Sequence, residues 1–303
     1  MGIPRGTARL LLDEARREPF HGRLLELGKM TVYATAEELA GWADEQGVAL
    51  SQVGPLELSH QPELARLGCL SDRDLFRRLG FAEVESADVS DWEGADHVLD
   101  LNQPVPATLH GRYDAVFEAG TIQHVFHLPR VFENIHALLR PGGRVIHGMA
   151  PSSNHVDHGF YMFSPTLFHD FYAENGWRLE AEYFFEFSHY WHRGRFHAPP
   201  WAIRRYTPGC LDEVAYGGFG GRQVGLFVVA TKLGGATADR IPQQSYFSRH
   251  AAAPRPPRPS QPATPRGAVE RALDPLLVRA KALKQWLRRR LLPRRLPPVV
   301  ARY

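Results

Sequence analysis

Short apolar runs that end in glycine or an acid alternate with stretches of helical spacing over most of the chain. Arg23-Leu24-Leu25-Glu26-Leu27-Gly28 reads as a strand closed by glycine, and ATAEELAGWADEQG after it brings Leu39, Trp42 and Ala43 onto one helical face. Residues 48–70 break the rhythm with Gly54-Pro55 and a His60-Gln61-Pro62 turn, so they are expected to be an insertion. Ser71-Asp72 then caps a helix DRDLFRRLG. Three strands are expected next: AEVESAD ending at Asp88, a short HVLD ending at Asp100, and YDAVFEA ending near Glu118. LPRVFENIHALLR aligns Leu128, Val131, Phe132, Ile135, Leu138 and Leu139, and Pro141-Gly142-Gly143 stops that helix before the strand RVIHGMA.

After a polar loop, PSSNHVDHG, Ser164 and Pro165 open a helix, and WRLEAEYFFEF and QVGLFVVATK give two last strands. Strands alternating with helices of this length predict an α/β fold. Between the last two strands, residues 188–222 are rich in His, Arg, aromatics and glycine, and read as a lid-like segment. Residues 234–268 read as a Pro/Arg-rich flexible linker, and 269–303 as a basic amphipathic helix with its tail.

Charge sharpens this division. The chain carries +3 overall, but residues 249–303 hold 14 Lys or Arg against Glu270 and Asp274, which is +12 and leaves −9 on the rest. A basic surface therefore belongs to the tail. Along 274–292, Leu276, Ala280, Leu283 and Leu287 share one face and arginines fill the rest. Such a helix suits an anionic membrane surface or a partner's groove, and a solvated tail of minor function stands beside those readings. No nucleic-acid module accompanies the charge, and the acidic body opposes wrapping a phosphate backbone, so no specific nucleic acid is expected. Cys69 and Cys210 form no disulfide framework. With no apolar run long enough to span a bilayer and charges interrupting the leucines near the start, a cytoplasmic location is expected, peripheral at the inner face of the membrane if the tail binds there.

In an open parallel sheet, ligands bind beyond the carboxyl ends of the strands at the switch point, which directs attention to Gly28, Asp88, Asp100 and Glu118. An acid after the second strand can take both ribose hydroxyls. One after the third can take an adenine amino group, with Leu101 offering backbone, and a glycine after the first strand admits close approach. An acid ending a strand is, taken singly, more often a turn-former or cap.

Residues 112–147, RYDAVFEAGTIQHVFHLPRVFENIHALLRPGGRVIH, resemble the fourth strand, following helix and fifth strand of class I S-adenosylmethionine-dependent methyltransferases, including the Leu-Leu-Arg-Pro-Gly-Gly turn and His124 after strand four. The likeness runs more loosely over 20–233, with LLELG, ESADVSD and HVLDLNQP at the first three motifs. It implies a Rossmann-like, seven-stranded, mostly parallel sheet with helices on both faces over residues 1–233. It further implies S-adenosylmethionine as cofactor, and contacts from Glu26, Gly28, Asp88, Asp100, Leu101, Glu118, Ala119 and His124. The family's first loop usually reads Gly-x-Gly-x-Gly, whereas this chain has Gly28-Lys29-Met30-Thr31, and about 60 residues separate the first strand from Asp88. Lys29 either faces the cofactor's carboxylate or lies in solvent.

Methyl transfer from a sulfonium mainly requires alignment of the acceptor, with a base of suitable pKa where a hydroxyl or ammonium must lose its proton. The loop after strand five offers His155 and His158 as bases and Asp157 as an orienting partner. The plain alternative is a loop that caps the following helix. Tyr161, Phe163, Tyr190, Trp191, His192 and Trp201 either wall an apolar or sugar-like acceptor or are ordinary core. No metal site is expected, since His-x-Asp-His and the histidines 189, 192 and 197 lack the context of a known metal motif. The expected function is thus O- or N-directed methylation of a small-molecule or carbohydrate-linked acceptor. Two alternatives stand: a methyltransferase-like scaffold without catalysis that binds a partner or membrane through its tail, and a nicotinamide-dependent enzyme, disfavoured because Gly-x-Gly-x-x-Gly is absent. Oligomeric state is left open.

Overall fold

The computed structural model describes residues 2–187, 200–215, 217–247, 279–280, 283 and 296–303. The chain begins with β1 (Gly2–Ile3) and α1 (Arg5–Arg17), followed by β2 (Arg23–Leu27), β3 (Thr31–Val32) and α2 (Ala36–Gln46). The irregular insertion contains α3 (Pro62–Arg66), and α4 (Asp72–Leu79), β4 (Glu83–Asp88), β5 (His97–Val98) and β6 (Tyr113–Glu118) succeed it. Then come α5 (Leu128–Leu138), β7 (Leu139–Ser153), α6 (Pro165–Glu174), β8 (Arg178–Phe187), β9 (Ala202–Arg205), β10 (Gln223–Thr231) and β11 (Val299–Arg302).

Every strand and helix named from the sequence between residues 23 and 232 is present. Thr35 and Glu38 form a reciprocal capping box on α2, Ser71 accepts the Asp74 amide at the start of α4, and Ser164 accepts the Thr166 amide before Pro165 in α6. The sheet order is β11-β9-β8-β10-β7-β6-β2-β4-β5. From β5 to β7 all neighbours are parallel, and β10 lies antiparallel between β7 and β8. The order reverses between β2 and β6, which makes that crevice the switch point. An antiparallel strand between the fifth and last parallel ones departs from the dinucleotide-binding order, and so counts against the nicotinamide reading.

Alternation along the strands divides the core into two layers. Leu24, Ala115, Phe117, Phe227 and Val229 pack with α1, α2 and α4, while Leu25, Val116, Leu226 and Val228 pack with α5 and α6. Phe132 stacks on Phe171 at 4.3 Å between α5 and α6. On the other face, Arg144 reaches from β7 to Glu14 of α1 at 2.8 Å, both side chains being buried.

Three expectations need correction. The main sheet has nine strands, not seven, because β9 and β11 extend one side of it antiparallel beyond β8. Residues 234–247 are no free linker: Asn175 accepts from the Thr237 hydroxyl and the Arg240 amide, Trp177 donates to the Thr237 carbonyl at 2.8 Å, and the Ser245 amide donates to Asp170. The last residues are not an appended tail either. β11 pairs with β9, and Tyr303 bonds to Asp13 while its ring lies 4.7 Å from the Arg9 guanidinium. The described residues on either side of 248–295 thus both contact the body. A chain truncated after residue 295 is expected to lose about 2 kcal/mol of stability, measurable by urea unfolding, for the lost aromatic contact and hydrogen bond together. The basic stretch 274–292, apart from positions 279, 280 and 283, and the rest of the linker lie outside the described residues.

Candidate functional site

The site is assembled at the carboxyl edge of the parallel strands, where β2, β4, β5, β6 and β7 stop. Gly28 leaves β2 with φ of 85°, in the left-handed region that glycine adopts without penalty, and its amide donates to the Ala87 carbonyl at 2.6 Å. One Asp88 oxygen accepts the Val89 amide at 2.7 Å and the other the Lys29 amide at 3.1 Å. The half-buried carboxylate is therefore oriented by backbone on both sides of the crevice and, with two lone pairs per oxygen, retains capacity for further donors. Asp100 is fully open to solvent; bonds from the amide and side chain of Asn102 to one of its oxygens hold its carboxyl below the usual range. Leu101 beside it is buried, and its carbonyl accepts from Asn134.

Lys29 turns neither toward the cofactor crevice nor into solvent. It is 7% exposed, and its ammonium lies 2.5 Å from Asp72, which is itself 2% exposed. Met30 and Val32 are wholly buried, and Thr31–Val32 pairs with Gly2–Ile3. Glu26 is correspondingly no cofactor contact, since it is completely buried beside Asp72. Burial first, and then the Asp72 charge, raises the Glu26 carboxyl far above its ordinary range. Asp72 is lowered: burial pushes it upward, but a hydrogen bond from Glu26 and the Lys29 charge outweigh that.

Glu118 is a second correction. It is completely buried and accepts the Gly120 and Thr121 amides on one oxygen, while His147 Nδ1 meets the other at 2.8 Å. His147 Nε2 in turn meets the Tyr172 hydroxyl at 2.7 Å. Burial above all, and then the charge of Glu118, raises Tyr172 well above the ordinary phenol, so its hydroxyl stays protonated and donates to the imidazole. The imidazole accepts at Nε2 and donates from Nδ1, and Glu118 anchors the turn after β6. Thr121 extends that anchor to the Leu27 carbonyl, next to Gly28. Ala119 is buried under the turn, whereas His124 is exposed on its rim.

The predicted bases gather beside it. The Phe160 amide donates to the Gln123 carbonyl, which brings the loop after β7 onto the turn after β6. The His124 and His158 rings lie 5.3 Å apart at 78°, and His155 and His158 6.3 Å apart. Partial burial, and then His158, lower His124 below an ordinary imidazole, so it stays neutral at lower pH. Asn154 and Asp157 adopt φ of 58° and 64°, and Asn154 donates to the Gly220 and Arg222 carbonyls, fixing the loop. Asp157 is a correction: it is exposed and has no hydrogen bond or ion pair to either histidine among the described residues. Around the rim stand the exposed Val89, Phe126, Val156, Phe160 and Met162, with Phe126 and Phe160 5.4 Å apart edge to face. These apolar residues were missed by the sequence reading, because nothing in a loop's composition tells an exposed phenylalanine from a buried one. Phe163 and Trp201 are core, Trp201 stacking on Phe185 at 4.2 Å, while Tyr161 is half-buried and donates to the Phe126 carbonyl. Residues 189–192 and 197 lie outside the described residues. Among the described residues no group of three or more His, Cys, Asp or Glu is placed to hold a metal ion.

No family model matches the chain. No curated protein matches it either. Among solved structures it is similar to a candidate S-adenosylmethionine-dependent methyltransferase from Methanococcus maripaludis at 11% identity, over 46% of this chain and 54% of that one, with a TM-score of 0.29. The match thus spans about half the length of that chain. It is also similar to the 1,6-didemethyltoxoflavin N1-methyltransferase of Burkholderia thailandensis with bound S-adenosylhomocysteine, at 16% identity over 76% and 79%, with a TM-score of 0.33. A third, at 11% identity over 46% and 44% with a TM-score of 0.26, is a candidate zinc-dependent alcohol dehydrogenase from Rhodobacter sphaeroides.

Proposed function

We propose that this protein is a methyltransferase that uses S-adenosylmethionine and acts on a small-molecule or carbohydrate-linked acceptor at an oxygen or nitrogen. The observation that carries the reading is that Asp88 ends β4 and Asp100 follows the adjacent β5 by two residues, with Gly28 at the switch point and the Lys29 amide on Asp88. The residues present fit the nucleoside half of the cofactor. Asp88 retains acceptor capacity for two ribose hydroxyls, Asp100 is solvent-facing for an adenine amino group, and Val89, next to Asp88, is an exposed apolar side chain.

When bound, the cofactor supplies a methyl group already activated by a sulfonium. The chain's own part is to place the acceptor and take its proton. Phe126, Phe160, Val156 and Met162 offer apolar area on which an acceptor is held, and water is displaced from that surface as it is covered. His158 lies between His124 and His155, and a neutral ring nitrogen there accepts the acceptor's proton. His124 keeps a second neutral imidazole next to it. The basic segment, with Trp286 and leucines on one side and arginines on the other, supports recruitment of the cytoplasmic enzyme to an anionic membrane surface.

The test is acceptor-dependent formation of S-adenosylhomocysteine over a panel of hydroxylated and amino acceptors. With any acceptor that turns over, His158→Ala is expected to lower kcat about 100-fold while KM changes little. Full turnover by both His158→Ala and His155→Ala removes the base assignment.

A further inference from the structure

The first loop lacks the glycines that its place in the fold calls for, yet the Lys29 amide still reaches Asp88 across the crevice at 3.1 Å. What replaces the glycines is visible on the inner side of the loop. The Lys29 side chain turns into the protein and meets Asp72 at 2.5 Å, at the first turn of α4, and Glu26 on β2 lies against the same carboxylate. All three side chains are buried. Asp72 also accepts the Arg73 amide, Arg73 pairs with Asp96, and Asp96 accepts the Ser86 amide at 2.8 Å and hydroxyl at 3.1 Å on β4. The web leaves β2 at the loop and returns to β4 two residues before Asp88.

We infer that Lys29 is a positioning residue: its buried pair with Asp72 sets the glycine-poor first loop so that the Lys29 amide orients Asp88 to receive the cofactor's ribose. This rests on the cofactor reading given above. The geometry has a specific logic. A loop rich in glycine leaves its backbone free to wrap a ligand, whereas here a lysine is held from below by its side chain and presents its amide from above. Glu26 completes the arrangement: burial, and then the charge of Asp72, raise its carboxyl, as expected where two ionised acids beside one lysine would leave an uncompensated buried charge.

Lys29→Met alone strands Asp72 and is expected to fold poorly, so the informative protein is the full chain carrying Lys29→Met and Asp72→Asn together. Replacing both members of a buried pair with neutral groups of similar size is commonly tolerated, and its unfolding midpoint should stay near that of the wild type. Two readouts follow on the folded double variant. S-adenosylhomocysteine should bind about tenfold more weakly, and the residue 29 amide should exchange with deuterium about tenfold faster, while amides inside β2 and β4 keep their protection. Unchanged affinity together with unchanged exchange overturns the proposal. If the wild type binds no S-adenosylhomocysteine, the cofactor reading fails on its own account. Exchange at residue 29 then decides whether the pair sets the loop, unchanged protection counting against it.

Discussion

Asp88→Ala is expected to weaken S-adenosylhomocysteine binding about 100-fold, since it removes two hydrogen bonds to a charged acceptor at about 1.5–3 kcal/mol each, less what water restores. The loss should come without a comparable loss of stability. Asp88 is half-buried, and its internal partners are two loop amides that solvent can reach once the side chain is gone. Asp88→Asn is the sharper variant, because it keeps the volume and one acceptor oxygen and should fall between the two. Equilibrium titration of each variant checks the order. Wild-type affinity in Asp88→Ala would remove Asp88 from the site.

The second large effect is on folding. His147→Leu deprives Glu118 of one donor and Tyr172 of its acceptor, all within a volume that solvent does not reach. Breaking a buried, charged hydrogen-bond pair costs about 3–5 kcal/mol. For a body of this size the lower figure corresponds to a fall in Tm of about 6–12 °C. The lesion also has a local signature. Glu118 still accepts the Gly120 and Thr121 amides, so the turn should survive but move more, and cofactor affinity should fall less than in Asp88→Ala. A Tm within about 2 °C of wild type would show that the Glu118–His147–Tyr172 chain adds no net stability.

These two residues mark where sequence reading reaches and where it stops. Asp88 could be found because a parallel strand ends there in an acid, and the position alone places it at the ligand edge. Glu118 carries the same signature, an acid closing a strand, but the side chain it meets, His147, lies 29 residues on in β7, and the partner of His147, Tyr172, lies farther still in α6. Only the packing shows that its carboxylate points inward. Lys29 was misplaced for the same reason: its partner Asp72 lies across the insertion. The polar interior of VIHGMA was the available signal for the first case, since a histidine in the middle of a parallel strand must find partners.

The elements divide in the same way. Helices and strands whose periodicity is local, such as α2, α5, β6 and β10, were read, as were the Ser71 and Ser164 caps of α4 and α6. The short strands β9 and β11 were not, because four residues each carry little period and their pairing is a tertiary fact. Helix α1 was passed over because Asp13, Glu14, Arg16 and Arg17 interrupt its leucines, yet Glu14 is buried against Arg17 and Arg144. A charged residue on the inner face of a helix hides the amphipathic pattern until its partner is known. The histidine rim was legible as a loop rich in candidate bases, and the Phe126–Phe160 surface beside it was not.

A sulfur nucleoside in the crevice between β2 and β6 is detected by isothermal titration of the full chain. With S-adenosylmethionine and S-adenosylhomocysteine as ligands and NAD as control, micromolar binding of the two sulfur nucleosides and none of NAD is expected. A folded sample that binds neither sulfur nucleoside would contradict it, and would leave a methyltransferase-like scaffold as the better description of the molecule.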